Sequence, residues 1–138
     1  MAFTYTHKHR VRYRECDPMG VVYHTHYLDY FEVARTEALR YVGVRYRDLE
    51  DHGIIMPVVQ VEVQYHTPAR YDDLLVIDVH FAQPPSVRVP IDYTVRRDGE
   101  EEVLVSGHTT LCFLDAEQRR PTRPPEIVRE AFASLFDA

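Results

Sequence analysis

The chain has 138 residues, a size that predicts one domain, residues 1–138. Its apolar fraction of 45% argues against disorder, and its net charge of −6 argues against non-specific attraction to nucleic-acid phosphates. No apolar run approaches the roughly 20 residues that span a bilayer, and MAFTYTHKHR lacks a signal-peptide core, so a soluble cytoplasmic protein is expected.

Thr4 to Tyr13 alternates loosely and reads as a strand. Arg14 to Val22 holds Pro18 and Gly20, which signal a turn. From about Thr25 the period changes: Tyr27, Phe31, Ala34 and Ala38 line one face of a helix that Gly43 stops. Tyr46 to His52 suits a short extra helical turn. Ile54 to Tyr65 has the clearest period-two pattern in the chain, with Val59, Val61, Val63 and Tyr65 opposed to Gln60, Glu62 and Gln64. Strands over Leu74–Phe81, Val87–Val95 and Val103–Leu114 follow, with Asp98–Gly99 marking a hairpin. Pro124 to Phe136 suits a short terminal helix opening on prolines.

The order is strand, long helix, then four strands joined mainly by hairpin-like links. That predicts an α+β fold with an antiparallel sheet. One helix cannot cover both faces of five strands, and bare edges invite pairing, so homo-oligomerisation is expected.

Asp17 stands in a turn, with Gly20 allowing close backbone approach and a helix start near His24. The helix N-terminus offers free N–H groups and a positive dipole end. A carbonyl oxygen placed there is stabilised as it becomes an oxyanion, while a nearby carboxylate attacks the same carbon or activates water. The plainer reading is that Asp17 only organises its turn through an Asx-type bond, and spacing alone leaves both open. His24 fits a general base, a substrate contact or a backbone donor. His26 fits a half-exposed residue of the first helical turn.

The two cysteines, Cys16 and Cys112, give no CxxC spacing or disulfide framework. Glu15 and Asp17 beside Cys16 would raise its pKa, the wrong direction for a thiol nucleophile. No HExxH or Cys/His cluster supports a metal, and Ser106 and His108 lack a nucleophile-elbow context. Glu32–Arg35 and Glu37–Arg40 have the spacing of solvated helix pairs.

The run RVRYRECDPMGVVYHTHY, Arg10 to Tyr27, resembles the active-site signature of the 4-hydroxybenzoyl-CoA thioesterase family, which includes the Tol-Pal-associated acyl-CoA thioesterases. Arg10, Val11, Cys16, Asp17, Gly20, Val21, Val22, His24 and Tyr27 satisfy its fixed places, and the likeness continues through YLDYFEVARTEALR and HTPARYDDLLVI. The resemblance implies a hotdog fold, a five-stranded antiparallel sheet wrapped around one long central helix, in dimers that pair into tetramers with active sites at the dimer interface. It implies an acyl-CoA substrate, no cofactor beyond the coenzyme A of that substrate, Asp17 as catalytic carboxylate and the His24 N–H as the donor to the thioester carbonyl. Gly20, Val22 and Tyr23 would surround the acyl group. Ser86 matches a family serine beside the unusual Pro84–Pro85, and Arg88 becomes the candidate for phosphate anchoring. Hydration or dehydration on the same fold, and acyl-CoA sensing without cleavage, are the alternatives.

Overall fold

The computed structural model describes residues 2–136. Its main sheet contains β1 (Phe3–Arg10), β3 (Val58–Tyr65), β4 (Leu74–Phe81), β5 (Arg88–Arg97) and β6 (Val103–Cys112). These lie in the order β1-β4-β5-β6-β3, with every pairing antiparallel. Among the described residues three α-helices accompany them: α1 (His26–Tyr41), α2 (Tyr46–Asp51) and α3 (Glu126–Phe136).

Alternation in the sequence decides which face each strand buries. Leu75, Ile77, Val79 and Phe81 of β4 lie on the same side as Ile91, Tyr93 and Val95 of β5, and all are buried. α1 meets that face through Phe31, Ala34 and Ala38, none of which retains any exposure. Phe31 stacks on Tyr93 with centroids 4.3 Å apart. Gly107 of β6 leaves room for this ring, since a Cβ there would sit 2.4 Å from Phe31 Cε2. α3 adds Val128 and Phe132 to the same core, with Phe132 packed on Phe81.

The expected elements appear, with several differences. The first strand stops at Arg10, and Tyr13–Glu15 forms a 3-10 turn, because the chain must bend to close the loop before α1. The expected strand Ile54–Tyr65 is two strands interrupted by Met56 and Pro57. β2 (Ile54–Ile55) leaves the main sheet to pair with β7 (Leu114–Asp115). β3 is no hairpin partner of β4. It lies at the far edge beside β6, so the connection 66–73 crosses from one edge of the sheet toward the other. Finally, Arg35 is no surface partner of Glu32. It shares the inner face of α1 with Phe31, and its guanidinium lies buried facing Tyr93 and Tyr46. Glu37 and Arg40 do form their ion pair. Among the described residues no helix is long and apolar enough to cross a membrane.

Candidate active site

The segment from Cys16 to Val22 is a small hairpin. The Asp17 carbonyl accepts the Gly20 N–H at 2.9 Å, the Asp17 N–H donates to the Val21 carbonyl at 2.9 Å, and Cys16 bridges to Val22. Gly20 has φ +80°, a left-handed conformation that a side chain would strain, so the DPMG sequence suits this turn. Asp17 Oδ1 accepts the Met19 N–H at 2.8 Å, with the Val21 N–H at 3.5 Å. The Asx-type bond of the plainer reading therefore exists. It occupies one carboxylate oxygen, and Oδ2 has no protein partner among the described residues.

The crossing connection braces the hairpin from the other side. The Val22 N–H donates to the Ala69 carbonyl at 2.8 Å, Val21 bridges to Arg70, and the Ala69 N–H donates to the Tyr27 hydroxyl at 3.3 Å. Arg97 holds that connection through Asp73 at 2.9 Å and the Pro68 carbonyl at 3.0 Å.

α1 begins at His26, two residues after the expected start near His24. His24 and Thr25 form a turn, and Thr25 is already helical in conformation (φ −70°, ψ −24°) without a side-chain cap. Among the described residues neither the His24 N–H nor the Thr25 N–H has a hydrogen-bond acceptor. The Tyr65 hydroxyl donates to the His24 carbonyl at 3.0 Å, which fixes the plane of that peptide.

Asp17, Val22, Tyr23 and His24 meet around one cleft of about 360 Å³. Tyr27, Tyr65 and Pro68 supply much of the remaining wall, which is mainly apolar. Gly20 shapes the turn and is not part of the wall. Arg88 lies elsewhere: it pairs with Cys112 where β5 begins, whereas Tyr65 pairs with Val105, which faces Val95. Seven steps of β5 separate those positions, on the order of 23 Å at a strand's rise. Within one chain Arg88 does not reach the cleft.

Burial, reinforced by the carboxylates of Glu15 and Asp17, pushes the Cys16 thiol pKa up, so the thiol stays protonated near neutrality. The His26 ring pairs with Asp29 at 3.3 Å. Ser106 bonds His66 at 3.0 Å while Asp92 pairs with His108 at 2.7 Å, so no Ser–His–Asp chain forms among the described residues. What remains is a carboxylate with one free oxygen, two open backbone donors and an apolar wall. That set suits attack on a carbonyl attached to an apolar group.

Sequence reasoning missed the Thr67–Pro68 portion of the wall and the partnership of Tyr65 with His24. It placed Tyr65 only at the end of the alternating strand. The period-two run ending at Tyr65 and the adjoining HTPAR stretch were the available signal.

The sequence profile of the thioesterase-like superfamily matches residues 11–132. The acyl-CoA thioester hydrolase YbgC of Shigella flexneri is 41% identical over 124 residues, covering 88% of this chain and 90% of that protein. The 1,4-dihydroxy-2-naphthoyl-CoA hydrolase of Thermosynechococcus vestitus is 26% identical over 117 residues, covering 83% of this chain and 80% of its own length. Among solved structures, the DHNA-CoA thioesterase from Staphylococcus aureus superposes with a TM-score of 0.87 at 27% identity, covering 96% of this chain and 90% of that one.

Proposed function

The chain belongs to the thioesterase-like superfamily, and from that membership we propose that it hydrolyses acyl-CoA thioesters to the free acid and coenzyme A. Asp17 is the catalytic carboxylate, and the open N–H groups at the His24 turn receive the thioester oxygen. The observation that carries this reading is the meeting of Asp17 and His24 around one apolar cleft, with one Asp17 oxygen and the His24 N–H free of partners among the described residues.

As the carbonyl carbon becomes tetrahedral, negative charge builds on its oxygen. Preorganised backbone donors at the positive end of α1 stabilise that charge. Asp17 then serves in one of two ways. It attacks the carbon directly, giving a mixed anhydride that water cleaves, or it takes a proton from water as water attacks. Both routes expel the coenzyme A thiolate. A thiol ionises near pH 8.5, so the leaving group departs without a strong acid beside it, and a single carboxylate suffices.

The cleft fits a small acyl or aroyl group. Tyr23, Tyr27 and Tyr65 favour the aroyl end of that range, and a naphthoyl-CoA hydrolase among the relatives supports it. The exposed β3 edge supports pairing with a second copy, and an anchoring role for Arg88 would be exercised on the cleft of a neighbouring subunit.

The test is turnover of a panel of acetyl-, hexanoyl-, benzoyl- and naphthoyl-CoA, followed by thiol release. Wild type should cleave at least one member, and Asp17→Asn should lose roughly 100- to 10,000-fold in kcat. A wild type as inert as the variant across the whole panel would sink the proposal.

A further inference from the structure

Two residues before Asp17, Glu15 presents a carboxylate in a residue only 8% exposed. Its Oε1 accepts three hydrogen bonds, from His9 Nε2 at 2.9 Å, the Arg12 N–H at 2.9 Å and the Tyr30 hydroxyl at 2.8 Å. Those donors come from β1, the turn after it and the second turn of α1. The Glu15 backbone carbonyl also accepts the Tyr23 N–H at 2.9 Å, one residue before His24. One residue thus ties together the strand, the turn, the helix and the return limb of the Asp17 hairpin.

A surface turn does not need this. The hairpin closes through its own bonds among Asp17, Gly20 and Val21. Those bonds set its shape but not its distance from α1. Burying a carboxylate costs free energy unless donors surround it, and here donors from two separate elements converge on it. Glu15 does not line the Asp17 cleft. It lies instead in the wall of a second cleft, about 420 Å³, between β1 and α1.

We propose that Glu15 is a positioning residue for thioester hydrolysis, locking the Asp17 hairpin to α1 so that the carboxylate and the His24 turn address the same carbonyl. This rests on the acyl-CoA thioesterase reading above. Glu15 touches no reacting atom, and its effect falls on kcat, because a shift of about 1 Å in a reacting group costs on the order of 100-fold.

Four variants, Glu15→Leu, Glu15→Gln, Tyr30→Phe and the Glu15→Leu/Tyr30→Phe double, would be assayed on the same acyl-CoA panel, with thermal melts confirming the fold. Glu15→Leu should lower kcat roughly 30- to 100-fold and leave KM within about threefold. Glu15→Gln keeps an accepting oxygen and should recover kcat to within about fivefold of wild type. Tyr30→Phe should lower kcat by a smaller factor, and the double variant should be no slower than Glu15→Leu, since both act through one contact. A folded Glu15→Leu with kcat within twofold of wild type would overturn the proposal, as would equal losses in Glu15→Leu and Glu15→Gln. If Glu15→Leu does not fold, a Tyr30→Phe chain with wild-type kcat overturns it alone. An inert wild type removes this proposal together with the thioesterase reading, whereas an active wild type beside unchanged variants removes this proposal only.

Discussion

The hydroxyl of Tyr65 donates to the His24 carbonyl across more than forty residues of sequence. That bond draws electron density from the peptide whose N–H belongs to Thr25, the open donor next to the cleft residue His24, and holds its plane. Losing it removes a neutral hydrogen bond, a net effect of about 0.5–1.5 kcal/mol. Tyr65→Phe should therefore lower the melting temperature by a few degrees and, through the loosened peptide, lower kcat by roughly two- to tenfold, as a thermal scan and steady-state kinetics would show. Glu15 makes a prediction of a different kind. Burial works to raise its pKa, but the hydrogen bonds from His9, the Arg12 N–H and Tyr30 outweigh burial and hold it below the usual 4.5. A carboxylate with a depressed pKa contributes stability above its unfolded value, and that contribution disappears as pH falls through the folded one. The gap in melting temperature between wild type and Glu15→Gln should be widest above about pH 5 and shrink steadily below pH 4.5. A gap constant from pH 7 to pH 3 would remove the charge from this account. Asp17 and Gly20 were legible in the sequence because turn chemistry is local, with the turn's own bonds all made between Asp17 and Val21. Glu15 was not. An acid in RYREC reads the same whether solvated or buried, and its donors His9 and Tyr30 arrive only when β1 and α1 pack.

At the level of elements, periodicity located the main strands and helices, and errors fell where tertiary contacts override local pattern. Thr25 adopts helical angles without a side-chain cap, and α1 proper starts at His26 rather than near His24. Pro57 ends one pairing and lets β2 join β7, a partner nearly sixty residues away. The position of β3 beside β6 rather than β4 was hidden because alternation gives a strand's faces and says nothing about its neighbour. The packing of α1 on the sheet turns on Gly107, where nothing in the strand's own pattern asks for glycine. Its Cβ would meet Phe31 at 2.4 and 2.6 Å, and that ring is fully buried and stacked on Tyr93. Gly107→Ala should cost about 1–3 kcal/mol through overpacking, lowering the melting temperature by roughly 5 °C or more. A variant as stable as wild type in a denaturant titration would mean that α1 shifts freely on the sheet.

For the whole molecule, the informative strand is the one whose sequence alternates best and whose side chains are least covered. The register places Val58, Val61, Val63 and Tyr65 of β3 on the face that Gly107 presents to α1. Yet Val61 is 43% exposed and Tyr65 50% exposed, because α1 lies toward β1 and β4. β3 is also one of the sheet's two outer strands, with one edge of backbone groups unpaired by any described strand. An apolar inner face and an open edge on the same strand are a surface that a single copy does not bury. Pairing β3 with its counterpart in a second copy satisfies both at once, since the symmetric contact joins the edges and lays the two apolar faces side by side. In such a dimer Tyr65 and the cleft it lines would fall at the junction, which predicts that activity depends on assembly. Sedimentation velocity at micromolar concentration should give a dimer or a multiple of one. Val61→Asp sets a charge at the centre of the shared face, where an unpaired carboxylate is disfavoured, and should shift the chain toward monomer. Activity should fall with the dimer fraction and recover as protein concentration rises. A monomeric Val61→Asp chain with wild-type kcat would separate the two and leave each cleft complete within one copy.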